Sequence, residues 1–478
     1  MMARRQKSLG FLLLILSGCG QPKNSTGIER VILISCDTLR ADRLGVYGYK
    51  HDVSPNLDRF AEDCIVFSKA YSTAPTTSPA MSSIFTGRYP DELGVRGNRV
   101  QMPPEIETLA ESLRRAGIET AAVVSNWVLS RDNAARGAGV SQGFQHYDDR
   151  MTSNWSQQRG EEATGSTPVP GTSLPDRGAK ETTDATFEWL EKRRSDRFFL
   201  WVHYQDPHGP YTPPETDIQA LDRPLTNEPP LPLGKRQSGF GKLPLYQALG
   251  EERRPEFYRI RYDAEIRYFD RELGRLLDEL EAEGLLDGTL VIFTADHGES
   301  LGEHDHWFAH SQHIYSEVVH IPFLVRYPAG TLKPTTRKAG PYRYANQAVS
   351  QTDVMATVTE AFGLSPPPSQ GTSLLTDTLP TSRILAQMGA GWYGITDGMY
   401  RLKWNEKREI FLFDIDADKG ELHDLSKREP ERVREMMKSF EAARSKIPVL
   451  NVQGIRTKDS EANARALEAL GYGGGEDD

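Results

Sequence analysis

Two short apolar runs, far apart in the chain, each end in side chains that bind hard cations, and this pairing limits the folds open to the sequence. The run Val31-Ile32-Leu33-Ile34, within Ile28 to Cys36, stops at Asp37-Thr38, and the run from Thr289 to Phe293 stops at Thr294-Ala295-Asp296-His297-Gly298. Unbroken aliphatic runs of this length predict strands buried on both faces, as in a parallel sheet covered by helices. In open sheets of that kind, polar residues just past the carboxyl ends of strands collect along one edge, where ligands bind. The intervening spacing predicts the covering helices. Ile106, Leu109 and Leu113 precede Gly117 and an apolar strand from Thr120 to Val124. Ile266, Phe269, Leu273, Leu276, Leu277 and Leu280 share one face of a long charged helix ending at Gly284. Ile321 to Val325 reads as another buried strand and Asp353 to Phe362 as another helix.

Residues 28–380 therefore read as one large α/β unit. From Ile384 onward strands dominate. Tyr400 to Trp404 and Ile410 to Phe413 predict a small antiparallel sheet, closed by a helix from Pro430 to Arg444, so 381–450 form a C-terminal subdomain and 451–478 a tail. Within the large unit, residues 150–176 are rich in Ser, Thr, Gly and Pro and read as a flexible surface insertion. A second irregular stretch, Pro213 to Gly250, is expected to skirt the site.

The amino terminus reads as an address. Arg4, Arg5 and Lys7 precede the apolar Leu9 to Leu16, too short to span a bilayer as a mature helix. Leu16-Ser17-Gly18-Cys19 resembles a bacterial lipobox. That resemblance implies a signal peptide over 1–18, acylation of Cys19, a polar tether over 19–27 and a lipid-anchored protein of the bacterial envelope, at the periplasmic face or the outer membrane. The 478 residues hold 57 Lys+Arg against 67 Asp+Glu, a net charge of −10, which argues against nucleic acid as a bulk partner. Cys36 and Cys64 either pair or stay buried as free thiols.

A single Asp at a strand end is ordinarily a helix cap. Two ends that deliver carboxylates and an imidazole to one edge predict instead one divalent cation held by Asp37, Asp296 and His297. Those ligand types suit Mn, Mg, Ca or Zn alike.

Between the two ends lies Ala74-Pro75-Thr76-Thr77-Ser78-Pro79-Ala80-Met81, running on to Thr86-Gly87-Arg88-Tyr89-Pro90. Other blocks join it: Asp37-Thr38-Leu39-Arg40-Ala41-Asp42, Ser54-Pro55-Asn56-Leu57-Asp58, His203-Tyr204-Gln205-Asp206-Pro207-His208, Asp296-His297-Gly298-Glu299 and Gly302-Glu303-His304. In these blocks the chain resembles the sulfatase branch of the alkaline phosphatase superfamily, over nearly all of residues 28–445. The resemblance implies an α/β fold with an alkaline-phosphatase-like, mostly parallel central sheet flanked by helices and a small C-terminal antiparallel α+β subdomain. It also implies a metal-dependent hydrolase or transferase acting on an anionic ester, a phosphorylated or sulfated sugar, lipid or small molecule. It places the nucleophile, which also touches the metal, at Thr77, and ester-contacting groups at His208 and His310, with Asn126 as a neutral donor lining the pocket.

The departures from the family pattern fall on the chemistry. Sulfatases carry at the Thr77 position a Cys or Ser that is oxidised to formylglycine, and oxidising a Thr would give a ketone. Met81 replaces the motif Arg, Ser125-Asn126-Trp127-Val128 replaces the family's Gly-Lys-Trp-His, and Thr38 stands at a second metal-ligand Asp. A Thr alkoxide is a competent nucleophile where a cation lowers its pKa. A threonine sulfate lacks the second hydroxyl by which a hydrated aldehyde ejects its product, whereas a phosphothreonine is opened by in-line attack. A phosphoester is thus favoured over two alternatives, a sulfate esterase working with unmodified Thr77 and an inactive anion- or glycan-binding lipoprotein. Thr77 also reads as a cap on the helix opening near Pro79, which is compatible with an anion site there. His203, Asp206 and His313 are candidates for a second metal, and Arg40 and His304 for bracing loops.

Overall fold

A computed structural model describes residues 26–133, 139–151, 177–234, 238–379, 385–389, 391–445, 450 and 452–456. The signal segment, Cys19 and nearly all of the 150–176 insertion lie outside the described residues.

The aliphatic runs form the centre of a nine-stranded sheet. Its strands are β1 (Arg30–Cys36), β2 (Cys64–Phe67), β3 (Glu119–Val124), β4 (His146–Asp148), β5 (Phe198–Tyr204), β6 (Thr289–Ala295), β7 (Phe323–Arg326), β8 (Arg337–Ala339) and β9 (Tyr342–Ala345). They lie in the order β8-β9-β2-β7-β6-β1-β5-β3-β4. β6, β1, β5, β3 and β4 run parallel, while β7 is antiparallel to both of its neighbours, so the sheet is mixed and mostly parallel. Every residue of β5 and β6 is buried, and in β1 only Arg30 is partly exposed, as an apolar strand covered on both faces requires. β5 was not anticipated, because its aromatic Phe198-Phe199-Leu200-Trp201 run is short and is bounded by charged residues only on its amino side.

The long helix Pro255–Ala282 packs against Pro55–Ala61 and Ala179–Lys192. Asp270 reaches from it to the start of Pro55–Ala61, accepting from Asn56 N at 2.9 Å and Leu57 N at 2.8 Å and so satisfying donors that a helix start leaves open. Gly274 is needed at this crossing, since a Cβ there would lie 2.6 Å from Asn56 Cγ.

Four further strands, β10 (Leu385–Gly389), β11 (Trp392–Thr396), β12 (Tyr400–Asn405) and β13 (Ile410–Asp414), form an antiparallel meander. Helix Pro430–Arg444 covers one face through Met436, which shares a small core with Ile395, Leu402, Leu412 and Tyr89. The other face meets the large unit. Phe413 packs with Tyr71 and Ala348, and Trp392 against Ile314, Val318 and Val319. A fully buried ion pair, Arg401 to Glu421 at 2.5 Å, locks this junction, and Glu421 also accepts from Ser316 N at 2.8 Å. Past the subdomain, Ile455–Arg456 pair with Val100–Gln101, so part of the expected tail folds back on the large unit. Cys36 and Cys64 are buried free thiols, both pushed above the ordinary thiol range by burial.

Candidate active site

Strand register builds the site. β1 and β6 run parallel with Cys36 opposite Ala295, so the residues that follow, Asp37 and Asp296, leave the sheet side by side. On the other flank of β1, Cys36 lies opposite Tyr204 of β5, and His203 of β5 lies opposite Val124 of β3. The carboxyl ends of β6, β1, β5 and β3 therefore deliver Asp296-His297, Asp37, Gln205 through His208, and Asn126 to one edge.

Thr77 arrives from outside the sheet. It is the first residue of helix Thr77–Thr86, all ten residues of which are buried; Thr76 takes the cap position, so the cap reading of Thr77 is corrected by one residue. The approach is tied to the metal-type residues, because Ser72 Oγ donates to Asp296 O at 2.6 Å and Gln351 Nε2 donates to the same oxygen at 2.6 Å. Ser78 N donates to Asn98 Oδ1 at 2.8 Å, fixing the first turn. Thr77 Oγ1 lies 3.4 Å from His297 Nε2.

Asp37, Asp296 and His297 are wholly buried, and one ligand atom from each lies within 4.8 Å of the others. Asp296 spends one oxygen on backbone donors, Thr38 N at 3.1 Å and His297 N at 2.7 Å. Its other oxygen, Oδ2, and Asp37 Oδ1 are buried with no hydrogen-bond partner. His297 Nδ1 lies 2.9 Å from Gly298 O, which can only accept, so the ring proton sits on Nδ1 and Nε2 presents its lone pair. Two unsatisfied anionic oxygens and an imidazole lone pair converging beside a hydroxyl are costly unless a cation joins them, and the set fits one divalent ion. Among the described residues no second group of three acidic, Cys or His ligands converges in this way. His313 lies instead against His306 and Ser300, at 3.0 Å from each.

The electrostatics follow from this burial. Burial alone would raise Asp37, but the imidazoles of His208, His203 and His297 outweigh it and hold the carboxyl below the usual range. Burial and the Asp37 charge push Asp296 the other way. Burial lowers His297, His208 and His310, and the Asp37 charge works against it in all three.

The expected ester-contacting histidines gather as one cluster. The His208 ring lies 5.2 Å from that of His310, which lies 4.5 Å from that of His297. His208 Nδ1 donates to Gly209 O at 2.6 Å, which leaves its Nε2 as acceptor. His310 Nδ1 sits 3.1 Å from Glu299 Oε1, and the other oxygen of Glu299 accepts from Tyr211 OH at 3.1 Å. Burial pushes Glu299 up to about 7. The irregular stretch after Pro213 does border the site, with the Tyr246 ring 6.3 Å from that of His208.

Asn126 reaches one of the metal-type carboxylates. Its Nδ2 donates to Asp37 Oδ2 in a short hydrogen bond, and its Oδ1 accepts from Val128 N at 2.7 Å. His203 backs the same carboxylate, with Nε2 3.8 Å from Asp37 Oδ2, and is held from behind by Ser35 Oγ at 2.9 Å. Arg40 braces the loops as expected, pairing with Asp42 and Glu303 and donating to Glu299 O at 3.0 Å, while His304 stacks on Tyr315. Glu299, Tyr211, Asn98 and Gln351 had no assigned role from sequence. Only Glu299, two residues past His297, carried a local hint.

Comparison with known proteins agrees with this arrangement. The family profile "Sulfatase" matches residues 29–364. An N-acetylglucosamine-6-O-sulfatase of Bacteroides thetaiotaomicron is 24% identical over 397 residues, covering 68% of this chain and 68% of that protein. Iduronate 2-sulfatase of Homo sapiens is 28% identical over 371 residues, covering 69% of this chain and 66% of its own length. The chain thus spans about two thirds of these curated relatives. In fold it is similar to the phosphonate monoester hydrolase of Agrobacterium radiobacter, with a TM-score of 0.67 at 21% identity over 87% of this chain and 96% of that one.

Proposed function

Because the chain belongs to the sulfatase family, within the alkaline phosphatase superfamily, we propose that it is a metal-dependent ester hydrolase that works outside the cytoplasm, attacks with Thr77 and prefers a phosphoester. The observation that carries this reading is the buried Thr77 hydroxyl at a helix start, 3.4 Å from His297 Nε2 and beside the partner-free oxygens of Asp37 and Asp296. A divalent cation bound there would lower the pKa of the Thr77 hydroxyl and draw charge from the phosphoryl oxygens. The chain's own groups supply the rest. Thr77 Oγ forms a bond to phosphorus as the ester oxygen departs. A neutral imidazole, His208 or His310, takes the Thr77 proton and hands it to the departing alcohol. Water then attacks the phosphothreonine in line, giving up its proton to the same imidazole, and Thr77 is released with that proton.

The test pairs p-nitrophenyl phosphate monoester, diester and sulfate on metal-stripped protein resupplied with single cations (Mn, Mg, Ca or Zn), alongside Thr77→Ala. Phosphoester turnover that needs both metal and Thr77 supports the reading. Sulfate turnover that needs Thr77 would replace it with the second reading, sulfate ester hydrolysis by an unmodified threonine, which the names of the curated relatives favour. In the same proposal, acylated Cys19 tethers the enzyme to the envelope membrane. Cys19→Ser should then move it from the membrane to the soluble fraction.

A further inference from the structure

Two imidazoles stand beside the Thr77 centre, and different groups hold them. His208 Nδ1 donates to a backbone carbonyl, Gly209 O, at 2.6 Å. His310 Nδ1 lies 3.1 Å from a carboxyl oxygen, Glu299 Oε1. Glu299 is wholly buried and stands outside the set of Asp37, Asp296 and His297. Its second carboxyl oxygen accepts from Tyr211 OH at 3.1 Å, and its backbone oxygen accepts from Arg40 Nη1 at 3.0 Å. Both ends of the residue are therefore fixed, and the one carboxyl oxygen that Tyr211 leaves open is turned to the His310 ring.

His310 is also fastened to the approach of the nucleophile. Ser311, the next residue, accepts through Oγ from Thr76 Oγ1 at 3.1 Å and donates to Pro75 O at 3.3 Å. The loop that carries His310 is thus bonded to the two residues that lead into Thr77. The His310 ring lies 4.5 Å from that of His297, whose Nε2 is 3.4 Å from Thr77 Oγ1. His208 comes from a different loop, with its ring 5.2 Å from that of His310 and 6.3 Å from that of Tyr246.

We propose that Glu299 is a positioning residue that makes His310, rather than His208, the proton carrier of the reaction, an assignment that rests on the reading of Thr77 as the nucleophile. A carboxylate accepts hydrogen bonds and cannot donate them, so it keeps the His310 proton on Nδ1 and leaves the lone pair on Nε2, across the ring. As the bond from Thr77 Oγ1 to phosphorus forms, Nε2 takes the hydroxyl proton. The imidazolium keeps its Nδ1–H on Glu299, where the carboxylate faces the new positive charge. The bond from phosphorus to the leaving oxygen breaks, Nε2 passes its proton to that oxygen, and the ring returns to its starting form. The carbonyl behind His208 sets the same tautomer but brings no full charge to an imidazolium, and hydrogen bonds between charged partners are the stronger kind.

The experiment joins a spectrum to a kinetic cycle. Full-length, Mg²⁺-loaded protein carrying isotopically labelled histidine is observed by NMR, with the His310 ring assigned through His310→Gln. The wild type should hold the His310 proton on Nδ1. Glu299→Gln, whose amide oxygen still accepts, should keep that form, and Glu299→Leu should move the ring toward the form protonated on Nε2. In steady-state kinetics on p-nitrophenyl phosphate, Glu299→Leu should lower kcat by at least about tenfold with KM within about threefold, and Glu299→Gln should recover part of the loss. Added to His208→Gln, Glu299→Leu should cost the same factor again. Added to His310→Gln it should cost nothing further, because its effect passes through that ring. An equal loss in both backgrounds, or a wild-type His310 protonated on Nε2, overturns the proposal, and the wild-type spectrum stands whether or not the leucine variant folds. Turnover that needs metal and Thr77 but is indifferent to Glu299 would sink the positioning role alone. A Glu299-dependent tautomer with no turnover of any ester would leave the hold on His310 intact and sink the hydrolase reading, so the two fail separately.

Discussion

Removing the Asn126 side chain separates two roles that its position permits, and the structure sets the size of the effect. Asn126 Nδ2 donates to Asp37 Oδ2, and both residues are wholly buried. A hydrogen bond to a buried charge is worth about 1.5–3 kcal/mol. Without it, Asp37 keeps only the more distant His203, 3.8 Å away, to orient the oxygen that does not face the metal position. That loss converts to about 10- to 150-fold in cation affinity, matching the roughly 10- to 100-fold cost of removing outer partners of metal ligands. Asn126→Ala should therefore weaken Mn²⁺ or Ca²⁺ binding to the stripped protein by at least about tenfold, read by calorimetry. Activity should return as the cation concentration is raised. The same change removes the acceptor for Val128 N, for which about 1 kcal/mol of stability is expected, so melting in chelator serves as the folding control. Cation affinity unchanged within about twofold, together with a raised KM for the ester, would refute the reasoning. It would return Asn126 to the substrate pocket, where sequence had put it.

Other outcomes are equally specific. Thr77→Ala should abolish turnover while cation binding persists, and Thr77→Ser should retain part of the rate, both checked by steady-state kinetics and by intact-mass detection of a phosphorylated enzyme. Arg401→Met should destabilise the fold by about 3–5 kcal/mol, because Glu421 is left charged and buried; Arg401→Met with Glu421→Gln should recover most of this in thermal unfolding. Glu317, raised to about 8, keeps in the folded state a proton that the unfolded chain gives up near its ordinary value, so its contribution is harmless at low pH and stability falls as pH rises toward 8. Glu317→Gln should therefore gain stability over the wild type in melts near pH 8.5 but not near pH 5, and a constant difference across that range would contradict the assignment.

What sequence alone determined was local. Aliphatic runs mark strands, and the residue after a strand sits at its end whatever packs around it, so the convergence of Asp37, Asp296 and His297 was legible. Helix Pro430–Arg444 was legible from end to end for the same reason, since its periodicity and its opening proline lie within it. The Thr77 block was recognisable as a motif, and the structure moved its cap only to Thr76. Partnerships between segments were decided by the tertiary fold. Nothing near Asn126 signals that parallel pairing through β5 and β1 brings its amide to Asp37, and nothing near His310 signals that Glu299 and Tyr211 hold it. Nor does the sequence around Lys403 disclose that its ammonium lies over the ring of Tyr315, from a loop beside the active site. A side chain's element follows from its neighbours in the chain, but its partner depends on which distant strand lies alongside, and that is settled only when sheet order and register close over the whole molecule.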